Sequence, residues 1–389
     1  MNNLYDNPYR LNELLNIAHD RPFSLLFGNY SWLLGMAGGI VLVWLIVMAG
    51  GERRENPVTQ LAMPVCVALI AAGFLNVLAE VQQPARLLYG YLYGWNYWDT
   101  AIIKYGITIL PLFLACSWWL TFQCLEKSAL QQLFRKVPEK FVPLAEFITL
   151  WSRHYNIFQH RALRRSVYIV VAFCGLFAPL YSGVFLMYEH GVPVWNSPAQ
   201  VLLFLSTSMT KVAAFFMIFG PALYRFATGE QARFPNVDLR WLAVAALLLS
   251  FVVWFGWMWW IKRLGTLPDQ QLSALFAGPY HDLILWNWEI IGLLLPLLLL
   301  ATPMGKRSWA RWIAAIAILW GGYAIRFIVL VGGQALNRSG AGYLSFGLGD
   351  DIIWYSAFSL LFFFGLLALL LLLPYGQQRS SDVLTGEQS

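Results

Sequence analysis

A chain of 389 residues that is 59% hydrophobic and only 12% charged is not an ordinary soluble protein, which carries roughly twice that charged fraction. The net charge of +6 is spread over loops between apolar stretches, so it reads as membrane topology and not as a nucleic-acid footprint. Cys66, Cys116, Cys124 and Cys174 all fall in apolar stretches without CxxC spacing. They read as core side chains, which leaves no iron–sulfur cluster and no metal site on this chain.

In chain order, residues 1–27 are mixed polar, with Asp6, Arg10, Glu13, Asp20 and Arg21, and read as a short surface helix outside the membrane. They do not form a cleavable signal peptide, so the first span is expected to act as an uncleaved anchor. A spanning helix needs about 20 mostly apolar residues. Nine stretches meet that length: 28–50, 60–80, 100–124, 166–188, 199–224, 241–261, 282–303, 312–335 and 351–374. Lys104 interrupts the third, and a long basic loop, 125–165, follows it. No period of 20–50 residues repeats. The polar tail at 375–389 is expected to be disordered and cytoplasmic. The expectation is an all-α integral membrane protein of about nine transmembrane helices, with 19 Trp available for interfacial belts.

Lys and Arg in the loops set the orientation. Seventeen fall on the side of the 125–165 loop and six on the other. This predicts an extracytoplasmic N-terminus and a cytoplasmic C-terminus, as an odd number of spans allows.

Charged residues inside spans are costly and mark function by default. Placed by depth, they gather in the outer half. Tyr30 opens the first span, Glu80 closes the second, and Arg86 follows six residues later. Lys104 lies about one turn below the outer end of the third span, Glu289 roughly 10 Å below that of the seventh, and Arg326 roughly 14 Å below that of the eighth. Tyr181 sits in the outer half of the fourth span and Lys211 nearer the middle of the fifth. Each has a second reading. Glu80 and Arg86 also suit a membrane interface, Tyr30 and Tyr181 an aromatic belt, Glu289 with Arg326 a structural ion pair, and Lys211 snorkelling or a carboxylate partner. No histidine lies in the interior of a span, which argues against a transmembrane b-type haem.

Four segments carry a resemblance. The first span contains YSWLLGMAGG, and the second ends AEVQQPARLLYGYLYGWNYW. Around Tyr181 the chain reads LYSGVFLMYEHGVPVWN, and an R-x7-Q pattern runs from Arg326 to Gln334. Together they resemble the NrfD/PsrC family, the haem-free membrane subunits of bacterial respiratory enzymes. The Glu80–Arg86 spacing, the aromatic run behind it and ALFAGPYHDLILWNWE are most similar to the membrane subunits of polysulfide and tetrathionate reductases. The resemblance covers about 28–335.

It implies two adjacent four-helix bundles plus an extra helix, with the first bundle at about 28–224 and the second at about 241–374. It also implies a multi-pass location in the bacterial cytoplasmic membrane and a quinol site near the extracytoplasmic face. A ferredoxin-like iron–sulfur subunit would accept the electrons and pass them to a molybdopterin catalytic subunit. The family's quinone-site tyrosine carries onto Tyr181, a polar first-span position (His in some members) onto Tyr30, the acid–arginine pair onto Glu80 and Arg86, and the eighth-span motif onto Arg326 and Gln334.

Quinol oxidation releases two electrons and two protons, so the site needs hydrogen bonds to both ring oxygens and a proton acceptor. Tyr30 and Tyr181 suit the first role and Glu80 the second. The aromatic run from Tyr89 to Trp98 either walls the pocket or receives the partner subunit. Lys104, Lys211, Glu289, Arg326 and Gln334 stay between a structural role and a proton path. The reduced substrate is expected to be polysulfide, tetrathionate or thiosulfate. The alternatives are the same family serving nitrite, sulfite, dimethyl sulfoxide or arsenate, and a proton-coupled secondary transporter.

Overall fold

The computed structural model describes residues 23–49, 56–81, 86–93, 102–123, 135–149, 161–188, 192, 194–229, 235–265, 270, 273, 275–278, 280–335 and 350–373. The expected surface helix before residue 23, the tail at 375–389, Cys124 and much of the 125–165 loop lie outside the described residues. Among the described residues there are helices and turns and no strand.

Nine helices are long and apolar enough to cross a membrane: α1 (Leu25–Ala49), α2 (Pro57–Glu80), α4 (Ile103–Gln123), α6 (Arg161–Met187), α7 (Pro198–Ile218), α9 (Asn236–Leu264), α10 (Leu283–Ala301), α11 (Ser308–Ala335) and α12 (Asp350–Leu371). Three shorter helices join them: α3 (Arg86–Tyr93), α5 (Val142–Thr149) and α8 (Gly220–Thr228). All nine expected spans are present. One needs correction: the fifth stops at Ile218, not near 224. Gly220 and Pro221 follow, and a proline without an N–H starts α8 instead of continuing α7.

Local chemistry sets the ends. Asn56 accepts from Val58 N at 2.9 Å with Pro57 in the first turn, and Ser197 accepts from Ala199 N at 3.3 Å ahead of Pro198. Gly229 and Gly265 close α8 and α9 with φ of 75° and 58°, in the left-handed region that glycine enters without strain. Arg240 caps the far end of α10, donating to the carbonyls of Leu300 at 2.6 Å and Thr302 at 2.8 Å. Two stretches, Leu283–Leu294 in α10 and Ile328–Gly332 in α11, are wound as wider π-helix.

The centre of the molecule is α1, which packs on α2, α6 and α7 and also touches α11 and α12. Its glycines allow this. A Cβ on Gly38 would meet the Gly175 carbonyl of α6, and one on Gly39 would lie 2.8 Å from the Ser208 carbonyl of α7. Close backbone approach through small residues is how helices associate where lipid removes the hydrophobic drive. Contacts run in one circuit through α1, α2, α4 and α6 and in another through α7, α9, α10 and α11. Helix α12 lies against α2, with most of its surface exposed to the surroundings.

Candidate functional site

The site is built around the start of α1. Ser24 caps that helix, its hydroxyl accepting from Leu26 N at 3.1 Å. The Glu80 carboxylate, at the end of α2, accepts from Ser24 N at 2.6 Å and from the Ser24 hydroxyl. An anion at a helix N-terminus is stabilised by the unpaired N–H groups and the dipole there. One residue earlier, Phe23 N donates to the Gln334 side-chain oxygen at 3.2 Å, and the Gln334 amide donates back to the Phe23 carbonyl. Residues 23 and 24 are thus strapped from both sides, by α2 and by the end of α11.

Beneath this strap lies a cavity of about 350 Å³. Helix α1 contributes Phe27 and Tyr30, α2 contributes Phe74, Val77 and Glu80, and α6 contributes Tyr181, Ser182 and Phe185. Helix α4 supplies Gly106, Ile107 and Leu110. Both tyrosines are 6% exposed, each with an aromatic neighbour: Tyr30 lies 5.6 Å from Phe27, and Tyr181 stacks 5.0 Å from Phe177. Gly106 is what seats Tyr181. A Cβ at that position would run into the phenol, so no other residue fits there without moving it.

Helix α3 is held at the cavity by a bond with a clear origin. Pro111 has no N–H, so the Ile107 carbonyl loses its helical donor. The Tyr91 hydroxyl takes that place at 2.5 Å. Burial pushes the Tyr91 phenol above its ordinary value, so it stays a donor at neutral pH.

A second polar cluster sits behind α1, on the side of α7 and α11. Arg326 is fully buried and donates to Ser31 Oγ at 2.7 Å, the Phe204 carbonyl at 3.1 Å and Ser208 Oγ at 3.2 Å, with its guanidinium 3.5 Å from the Phe204 ring centroid. Lys211, also fully buried, donates to the Trp32 carbonyl at 3.2 Å and lies 5.2 Å from the Trp32 ring. Gly35 and Gly322 make room for them. A Cβ on Gly35 would lie 2.9 Å from Arg326 Nη2, and one on Gly322 would lie 2.8 Å from Lys211 Cδ.

This arrangement corrects two readings. Glu289 and Arg326 are not an ion pair: Glu289 accepts from Trp254 Nε1 at 2.8 Å in α9, while the two terminal nitrogens of Arg326 donate to hydroxyls and a carbonyl and its Nε is buried without a partner among the described residues. Lys211 does not pair with a carboxylate among the described residues; its partner is a backbone oxygen.

Of the residues singled out from the sequence, Tyr30, Glu80 and Tyr181 line the same cavity. Lys104, Lys211, Glu289 and Arg326 do not, and Gln334 reaches it only through Phe23. Arg86 begins α3, and its side chain lies outside the described residues. In the aromatic run, Tyr91 lines the cavity, Tyr89 and Tyr93 are exposed and stack 5.8 Å apart, and Trp95, Tyr97 and Trp98 lie outside the described residues. Sequence reasoning missed Ser24, Gly106 and the Ser31–Ser208 cradle of Arg326. Only Ser24 left a local signal, a serine directly before an apolar run. No group of three or more His, Cys, Asp or Glu suited to a metal ion occurs among the described residues.

With this geometry in place, comparison with known proteins is informative. The family model described as polysulphide reductase, NrfD, matches residues 13–337. That stretch holds every cavity residue and the Arg326–Gln334 segment and stops short of α12. The C subunit of polysulfide reductase from Wolinella succinogenes is 23% identical over 313 residues, which cover 78% of this chain and 92% of that protein. The chain belongs to the polysulphide reductase NrfD family.

Proposed function

We propose that this chain is the quinol-oxidising membrane subunit of a bacterial respiratory oxidoreductase, with the α1–α2–α4–α6 cavity as its quinol site. Family membership supports the coarser statement, a membrane subunit of an oxidoreductase complex. The observation that carries the finer one is the convergence of Tyr30, Tyr181 and Glu80 on a single, mostly apolar cavity. A flat ring with an oxygen at each end needs that combination: apolar walls for the ring, polar tips for the oxygens and a base for the protons.

In this reading the phenols of Tyr30 and Tyr181 hydrogen-bond the quinol oxygens. Glu80, half-buried at the cavity edge and held there by its bonds from Ser24, takes the two protons in turn as the ring is oxidised and passes each to water. The two electrons leave singly to a ferredoxin-like iron–sulfur subunit docked near the strap, and from there to a molybdopterin subunit that reduces a sulfur compound. The name of the Wolinella relative, a polysulfide reductase subunit, supports a sulfur acceptor over the other acceptors the family resemblance leaves open. The loop charges favour placing the cavity end of the bundle at the extracytoplasmic face.

The test is quinol-dependent reduction of the terminal acceptor in membranes, with and without a quinone-analogue inhibitor. Inhibition of the wild type, with artificial-donor activity of the catalytic subunit intact, supports the reading. Resistance to every quinone analogue, together with solute uptake by the isolated chain, would establish the transporter alternative.

A further inference from the structure

We infer that the seam between α2 and α4, walled by α12, is a channel for the isoprenoid tail of the quinol; the inference rests on the cavity being the quinol site. A second cavity, of about 290 Å³, lies along these helices beyond the first and shares Pro111 with it. Its α2 wall is Val67 and Ala71, and its α4 wall runs from Pro111 through Leu114 and Ala115 to Trp118. Leu366 of α12 supplies the third side.

The two cavities form one line on each helix. On α2 the lining positions 67, 71, 74, 78 and 81 follow alternating steps of four and three, which is a single helical face. On α4 the positions 103, 107, 111, 114 and 118 follow steps of four, four, three and four, again along one face. From Ile107 to Trp118 the stripe descends about 16 Å at the rise of a helix, enough for a run of prenyl units. Small side chains open the groove: Ala71 on one wall and Ala115 on the other.

The chemistry changes along this line as it does along a quinol. The end near the strap holds three phenols, a serine hydroxyl and a carboxylate, and the deeper end is lined by aliphatic side chains and one indole. Among the described residues no Lys or Arg lines either cavity, and Glu80 is present at the head end. A phospholipid with its phosphate at that end would meet the Glu80 carboxylate, whereas an uncharged quinol ring carries no such penalty. Because α12 lies beyond the stretch that matches the family model, this third wall is supplied by a part of the chain the shared family region lacks.

The test compares a quinol bearing its full isoprenoid tail with a short-chain analogue, in membranes carrying the assembled complex. Ala115→Phe and Ala71→Phe fill the groove, and Leu366→Trp narrows it from the peripheral helix without touching the core helices. The ratio of KM for the long-tailed quinol to KM for the short one is expected to rise about tenfold. An unchanged ratio in folded Leu366→Trp and Ala115→Phe overturns the inference, as does an equal rise for both quinols. So does an unchanged ratio with loss of a co-purifying phospholipid on native mass spectrometry, which assigns the groove to a lipid acyl chain. If the wild type oxidises neither quinol, the quinol-site reading falls and the channel with it; if it oxidises both and only the ratio fails to move, the site stands and the channel alone is wrong.

Discussion

Tyr30 and Ser31 are neighbours on α1, yet they serve two unlike places. Tyr30 faces a cavity of about 350 Å³ whose polar tips border open apolar space. Ser31, about 100° further round the helix, bonds a guanidinium with no room left beside it. Both places put polar chemistry inside a membrane, where an unmet hydrogen bond costs several kcal/mol. The Arg326–Lys211 cluster meets most of that cost with protein partners already in contact, leaving Arg326 Nε unpaired among the described residues, so it fastens α1, α7 and α11 together. The cavity instead has free volume bordered by Tyr30, Tyr181 and Glu80, and that is where a ligand has something to do.

The largest expected effect tests the fastening. Arg326→Met keeps roughly the length and removes the donors, stranding the Ser31 hydroxyl, and is expected to cost about 3 kcal/mol of stability. Thermal unfolding in detergent measures it. Normal stability with lost proton coupling would turn this cluster into a proton path and erase the contrast.

On the cavity side, Glu80→Gln is expected to slow quinol-dependent turnover on the order of a hundredfold, the scale of a lost general base. Glutamine can still accept from Ser24, so the cap of α1 survives and the assay isolates the proton. Artificial-donor activity of the catalytic subunit should be unchanged; equal loss of both would mark an assembly defect.

Tyr181→Phe removes one hydrogen bond to the ring and should lower kcat/KM for quinol about tenfold. Gly106→Ala should act in the same direction through displacement of the phenol, and combining it with Tyr181→Phe should make the two effects less than additive. The double-mutant cycle is read from quinol kinetics. The smallest effect belongs to Gln334→Ala. It loosens Phe23 and not the reacting groups, so KM should rise about threefold with kcat nearly unchanged. A fall in kcat instead would give Gln334 a direct role.

Much of the site was legible in advance as single residues. Tyr30, Glu80 and Tyr181 stood out as polar groups where apolar ones belong. Their grouping was not legible. Glu80 meets Ser24 across 56 residues, Gln334 meets Phe23 across 311, and Arg326 meets Ser31 across 295. The Glu289–Arg326 ion pair failed for the same reason. Opposite charges at similar depth suggested partners, but Trp254 and the serines lay closer.

The nine spans were settled by sequence alone, because removing about 20 apolar residues from water outweighs any detail of packing. Gly38, Gly39 and Gly175 were equally visible in the chain, but only the assembled helices assign them to crossing points. Which polar residue borders a cavity and which is locked in a serine cradle depends on helix rotation and on the choice of neighbour. A turn of a few residues moves a side chain from one helix contact to another at almost no cost in hydropathy. That decision belongs to close packing in three dimensions, and at α1 it separates Tyr30 from Ser31.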